Sequence, residues 1–299
     1  MNSELPTRRS RIFTQEQFNR FAALSGDDNP IHVDPVFSAR TKFGRTVAHG
    51  MFLYANLCQV MGEVAPGALP LAQELLFPAP TFAGEPVELQ VAAEQPAPDA
   101  RSQAIHRRSA ALLSLKTDVM KAGGAFTCQG HALLQLDRSA GFLSCDATPP
   151  PPPSVTTWKG LSTGQSATLI RAFTDSDLRD YLDLLGDANP LYTDPAVAAA
   201  WGLPGVPLPG PLLGALFSCL LGTQLPGPGT NWLKQRFAFM AAAHPGETLE
   251  ARVQIVRIRP EKELVNLRTW ITAGSQAIDR RSICDGEALV WISDLAASQ

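Results

Sequence analysis

Part of this chain is written twice at one fixed spacing, and that repetition limits the folds open to it more than any composition value does. Phe13-Thr14 returns as Phe173-Thr174, Gly26-Asp27-Asp28-Asn29-Pro30 as Gly186-Asp187-Ala188-Asn189-Pro190, Asp34-Pro35 as Asp194-Pro195, and Gly50 as Gly210, each pair 160 residues apart. The tails correspond more loosely: Gly84-Glu85 answers Gly246-Glu247, and Cys128-Gln129-Gly130-His131-Ala132-Leu133 answers Cys284-Asp285-Gly286-Glu287-Ala288-Leu289. Two long copies make a tandem duplication, whereas a solenoid needs three or more short units. Within 299 residues each copy has the ordinary size of a domain. Between the copies stand five successive prolines, Pro149 to Pro153, which lack amide donors and favour an extended spacer of roughly 3.1 Å per residue. The expected division is an N-terminal domain over 1–145, a Pro-rich linker over 146–157 and a C-terminal domain over 158–299.

Each copy reads as helices followed by strands. Thr14 to Gln17 is a Thr-x-x-Gln capping box that opens a short helix with apolar Phe18, Phe21, Ala22 and Leu24, ending at Gly26. Asp27 to Asp34 reads as a loop, and Pro35 suits the first turn of a second short helix through about Lys42. Met51 to Met61 is apolar nearly all round, so this helix is expected to be buried. The period then changes to that of strands, near Gln73–Pro78, Val87–Ala93, Ala110–Lys116 and Phe126–Leu136, with a Gly123-Gly124 turn. Copy two repeats the order, with helices near Asp175–Leu185 and Pro211–Leu221 and strands near Trp232–Ala241, Thr248–Ile258, Leu264–Thr272 and Cys284–Ile292. The pattern is α+β: in each half an apolar helix wrapped by a curved antiparallel sheet, whose edge needs a partner surface that the second copy supplies.

Several function classes are excluded. A net charge of −3 with scattered Lys and Arg offers no nucleic-acid stripe. Five dispersed cysteines without a Cys-x-x-Cys pair do not make a disulfide framework, and a reducing, cytoplasmic setting is expected. Arg8-Arg9 lacks the apolar run of a twin-arginine signal, and no stretch of about 18 apolar residues predicts a membrane span. The five histidines show no His-x-x-x-His spacing, so no metal site is expected. No Gly-rich phosphate loop and no Gly-x-Ser-x-Gly elbow occurs.

The residues that could carry chemistry stand in the repeated stretch. Asp27 and His32 place a carboxylate and an imidazole five apart in a loop, the pairing that acid–base catalysis uses. Copy two keeps Gly186, Asp187, Asn189, Pro190 and Asp194 but has Tyr192 where His32 stands. The shared turn therefore needs the Gly, Asp, Asn and Pro, and not the histidine; function explains His32 better than folding does. Gly50 opens the buried helix, where a free amide backed by the helix dipole can stabilise an oxyanion, or where a glycine permits close packing. Asn29 belongs to the same turn. His49 is expected to support the pair by hydrogen bonding from behind, since copy two has Pro209 there. Arg40, Lys42 and Arg45 read as solvated cations, and 201–210 as a loop reshaped to admit an extended ligand.

The stretch Phe21-Ala22-Ala23-Leu24-Ser25-Gly26-Asp27-Asp28-Asn29-Pro30-Ile31-His32-Val33-Asp34-Pro35, continuing to Val47-Ala48-His49-Gly50-Met51, closely resembles the signature of the (R)-specific enoyl-CoA hydratases of the MaoC-like dehydratase family. Copy two resembles a degenerate member. The resemblance implies a double hot-dog fold whose halves form an internal pseudo-dimer, with a further homodimer left open. It implies hydration of a trans-2-enoyl-CoA, or carrier-bound thioester, to the (R)-3-hydroxyacyl product, or the reverse dehydration, without a cofactor. Asp27 and His32 would be the acid–base pair and the Gly50 amide the oxyanion donor. Cys58 stands where relatives often have a serine facing the active site, and copy two has Ser218 there. A hot-dog thioesterase and a non-catalytic acyl-CoA or acyl-carrier binding protein are the alternatives.

Overall fold

A computed structural model describes residues 6–95, 111–137, 142, 156–274 and 280–292. The polyproline segment and most of the expected linker lie outside the described residues.

Copy one begins with strand β1 (Thr7–Ile12), then α1 (Gln15–Ser25), the one-turn helices α2 (Pro30–Val33) and α3 (Pro35–Ser38), and the long α4 (Gly50–Val64). Strands β2 (Leu69–Leu76), β3 (Pro86–Glu94), β4 (Leu112–Lys121) and β5 (Phe126–Gln135) follow. Copy two opens with a small hairpin, β6 (Thr157–Trp158) and β7 (Leu161–Ser162), before β8 (Ser166–Arg171). It then repeats the plan with α5 (Asp175–Leu185), α6 (Pro190–Thr193), α7 (Pro195–Ala200), α8 (Gly210–Thr223) and strands β9 (Asn231–Phe239), β10 (Leu249–Arg259), β11 (Leu264–Ala273) and β12 (Arg281–Trp291).

The described strands form a ten-stranded antiparallel sheet in the order β1-β3-β4-β5-β2-β9-β12-β11-β10-β8. Its two halves mirror each other about the β2–β9 seam, where Ala72 pairs with Ala238 and Leu76 with Lys234. The open edge of each copy is thus closed by the other, as the strand pattern requires. Helices α4 and α8 pack on one another, and their buried residues join a core drawn from both copies. Close approach needs Gly214, where a Cβ would lie 2.5 Å from Met51 Sδ. Around α4, Phe13, Phe18 and Phe21 set their rings edge-on to Phe52 at 5.0–5.7 Å.

The loosely matched tails have a structural cause. A Cβ on Gly130 would meet the Glu74 carbonyl oxygen at 2.1 Å, and one on Gly286 would meet the Arg236 carbonyl oxygen at the same distance. Beside each glycine a buried glutamine bridges strands, Gln73 to Thr117 and Gln235 to Thr269.

Three expectations change. The sequence reading has no strand at β1 or β8: β1 (Thr-Arg-Arg-Ser-Arg-Ile) is polar almost throughout, and β8 (Ser-Ala-Thr-Leu-Ile-Arg) alternates only between exposed and half-buried positions. The expected loop contains α2, since Asn29 and Pro30 begin a helical turn at once. The 201–210 segment is anchored on copy one and does not widen the Asp27 cavity: Trp201 donates its indole N–H to the Gly67 carbonyl at 2.7 Å, packs with Leu203 over Leu69, Leu71 and Tyr192, and walls a separate cavity with Pro190 and Val197. No helix among the described residues is long and apolar enough to cross a membrane.

Candidate active site

The site grows from helix ends. Thr14 and Gln17 exchange the capping-box hydrogen bonds that start α1, and Gly26, at φ 77°, ends it in the left-handed conformation glycine favours. The chain then turns on its own side chains: Asp27 Oδ1 accepts the Asn29 N–H at 3.4 Å, and Asn29 Oδ1 accepts the Ile31 N–H at 3.3 Å. Pro30 at the first helical position keeps this turn short, and His32 emerges on α2 beside Asp27.

Asp27, His32, Asn29 and Gly50 line one cavity of about 340 Å³ that runs between the copies. Copy two supplies Ser218, Trp232 and Trp291 among its other walls. His32 is 7% and Asp27 1% exposed, so both polar groups sit at the inner end. The His32 Nδ1–H donates to the Val47 carbonyl at 2.8 Å; because a carbonyl only accepts, this bond fixes the tautomer and leaves Nε2 with its lone pair. Burial pulls His32 below the ordinary histidine range, opposed by the neighbouring Asp27 carboxylate and the Val47 carbonyl.

Asp27 is held on both oxygens. While Oδ1 serves the turn, Oδ2 accepts the Ser218 hydroxyl at 2.5 Å. Ser218 lies on α8, 191 residues away, and sequence reasoning missed its place in this site. The signal was there: position 58 and position 218 are equivalent under the 160-residue offset, and they differ. Each copy's helix reaches into the other's loop. Cys58 therefore does not face the Asp27 cavity, as the sequence suggested; it stands against Asp187, whose negative charge, second to burial itself, pushes the thiol well up.

His49 is fully buried behind the pair. Its Nε2–H donates to the Asp27 main-chain carbonyl at 2.9 Å, and its ring stacks on His32 at 3.8 Å. Burial, then the adjacent His32, hold His49 well below the histidine range. Asp27, His32 and His49 are also the one group among the described residues whose donor atoms, all within 4.8 Å, come close enough to share a cation. Tertiary proximity makes that grouping, and motif spacing gives no sign of it.

Gly50 opens α4 with its amide among the free donors of a helix start, and no side chain caps that end. Close packing requires a glycine here: a Cβ would come 2.8 Å from Phe77, and in copy two one on Gly210 would come 2.8 Å from Phe239. Lys42 is exposed, as expected of a solvated cation, and it also lines the cavity with its ammonium 3.9 Å from the Trp291 ring centroid. Arg45 lies over Phe82 at 4.2 Å, and Arg40 is exposed.

The corresponding place in copy two is closed. Tyr192, Leu208, Leu213, Phe239 and Phe142 leave about 30 Å³ there. Asp187 keeps the turn bond to Asn189 N–H at 3.0 Å, but its Oδ2 has no hydrogen-bond partner.

In comparison with known proteins, the two copies match different family models. Residues 1–108 match the family model described as MaoC like domain, and residues 157–281 match the FAS1-like, dehydratase domain region. An (R)-specific enoyl-CoA hydratase of Aeromonas caviae is 35% identical over 132 residues, 44% of this chain and 96% of that protein. A 3-hydroxybutyryl-CoA dehydratase of Methylorubrum extorquens is 29% identical over 45% of this chain and 83% of its own length. Among solved structures, a MaoC-like dehydratase superposes with a TM-score of 0.73 at 16% identity, covering 97% of both chains. A Mycobacterium tuberculosis protein described as having a double hotdog fold gives 0.71 at 13% identity over 97% of this chain and 96% of its own. With two hot-dog units in one sheet and a hydratase relative matched over nearly its whole length, the chain belongs to the MaoC-like dehydratase family and is a hydro-lyase.

Proposed function

We propose that the chain hydrates a trans-2-enoyl-CoA to the (R)-3-hydroxyacyl-CoA, and catalyses the reverse dehydration, at the Asp27–His32 cavity alone. The observation that carries the reading is the convergence in one cavity of a carboxylate, an imidazole with a free Nε2 and the N-terminus of α4. The thioester carbonyl would accept the Gly50 amide, so that charge building on its oxygen in the enolate-like transition state meets the helix dipole. His32 Nε2 and Asp27 would hold one water, remove a proton as the water oxygen bonds the β-carbon, and return a proton to the α-carbon. Polarisation and proton transfer act together, because an enoyl thioester is a weak electrophile toward neutral water. General acid–base help supplies about 10²–10⁴-fold. Ser218 would orient the carboxylate, and the names of the relatives, which include both CoA and acyl-carrier-protein substrates, support a thioester in the cavity.

The test is hydration of crotonyl-CoA by the wild type, Asp27→Asn and His32→Gln, with products read by mass. Water added to the intact thioester, lost by about 10²-fold or more in each variant, is the expected result. Release of free thiol would indicate a thioesterase, and unchanged turnover in either variant would remove the acid–base assignment.

A further inference from the structure

Phe21, His32 and His49 form a ring cluster that copy two has replaced as a set. His49 lies between the other two rings, 5.2 Å from Phe21 and 3.8 Å from His32. At the 160-residue offset stand Tyr181, Tyr192 and Pro209, while the glycine, aspartate, asparagine and proline of the turn all remain. The backbone does not demand a histidine at the start of the helix: His49 has φ −59° and ψ 137°, and Pro209 has φ −63° and ψ 144°. Nor does folding favour one. With Nε2–H given to the Asp27 carbonyl, His49 Nδ1 is a buried lone pair without a partner, which disfavours the folded state. A costly residue present only where the acid–base pair is complete calls for a role in that pair.

We infer that His49 is a positioning residue, holding Asp27 by its main-chain carbonyl and His32 by its ring face so that both reach one water in a fixed geometry; this rests on the hydratase reading above. The Val47 carbonyl fixes the His32 tautomer within the ring plane but leaves the ring free to tilt, and the His49 ring behind it blocks that tilt. Asp27 takes its restraints from four partners: Asn29 N–H, the Ser218 hydroxyl and, through the backbone, Ser25 Oγ and His49. A phenyl ring could fill the stack without donating to the carbonyl, and an amide could donate without stacking. An imidazole does both.

The experiment uses the full chain with His49→Pro, which suits the backbone, and His49→Phe and His49→Asn, which keep one function each. Crotonyl-CoA kinetics, the thermal midpoint, and an NMR titration of the His32 ring in the ligand-free protein are measured together. That ring titrates facing Asp27 and His49, with Cys219 of α8 near Asp27 and Lys42 at the cavity wall. In folded His49→Pro, kcat should fall about 10- to 100-fold, the loss that a misplacement near 1 Å produces, with KM within about threefold. The His32 midpoint should rise as water reaches the vacated face. His49→Phe and His49→Asn should each recover part of kcat. Wild-type kcat with an unmoved His32 titration in folded His49→Pro overturns the inference. If that variant does not fold, wild-type kcat in both of the others overturns it. If the wild type proves inactive on enoyl thioesters, a raised His32 midpoint still upholds the positioning role, and the hydratase reading alone fails.

Discussion

At the scale of single residues, the difference between the two copies comes down to what faces each aspartate. Asp27 receives a hydroxyl from Ser218, and Asp187 faces the Cys58 thiol with one oxygen unpartnered. Ser218→Ala should lower kcat about tenfold with little change in KM, because the reacting carboxylate loses one charge-assisted restraint and keeps the Asn29 amide; Cys58→Ser should leave kcat unchanged. Steady-state kinetics on both variants separates the roles. Acid sensitivity follows from the histidines. Both are buried, with folded pKa values below the unfolded one, so the unfolded chain takes up more protons below about pH 6.5. The stability they contribute is complete above that pH and is lost as pH falls toward the folded values. Thermal midpoints measured from pH 7.5 down to 5 should fall, and less steeply in His49→Pro.

Among elements, the glycines on β5 and β12, the strands flanking the seam, are the most sensitive positions. A methyl on Gly130 or Gly286 meets a backbone carbonyl that cannot move without separating strands. Gly130→Ala should therefore cost about 3 kcal/mol or more, read as a lowered thermal midpoint with crotonyl-CoA turnover intact in the folded fraction. The same elements show what the sequence could and could not reveal. α4 and α8 are legible because nearly every side chain in them is apolar, a composition only burial explains. The turn that carries Asp27 and His32 is legible because the duplication acts as an internal control, keeping what folding needs and changing the rest. β1 and β8 are hidden, since neither buries a residue fully: β1 is polar almost throughout, and β8 alternates only between exposed and half-buried positions. Ser218 is hidden for a different reason. A serine in an apolar helix looks the same whether it faces its own loop or the other copy's, and only the crossing of α4 and α8 decides.

For the whole molecule, the seam makes neither half self-sufficient. A chain cut within the polyproline segment would separate Asp27 and His32 from Ser218, Trp232 and Trp291, and would uncover the edges of β2 and β9. The N-terminal half expressed alone should be inactive and prone to self-association, while co-expression of the halves should restore crotonyl-CoA hydration. Size-exclusion chromatography with activity of the fractions checks both.

The closing of the copy-two cavity to about 30 Å³ also sets how the protein counts its ligand. With Asp27 and His32 lining an open cavity and the corresponding place in copy two closed, calorimetric titration with a product-like thioester should saturate at one equivalent per polypeptide, or one for every two hot-dog units. The isotherm should fit a single class of site, with no sign of coupling between the two copies. The extra copy serves the first as wall and as the source of the hydroxyl that holds Asp27.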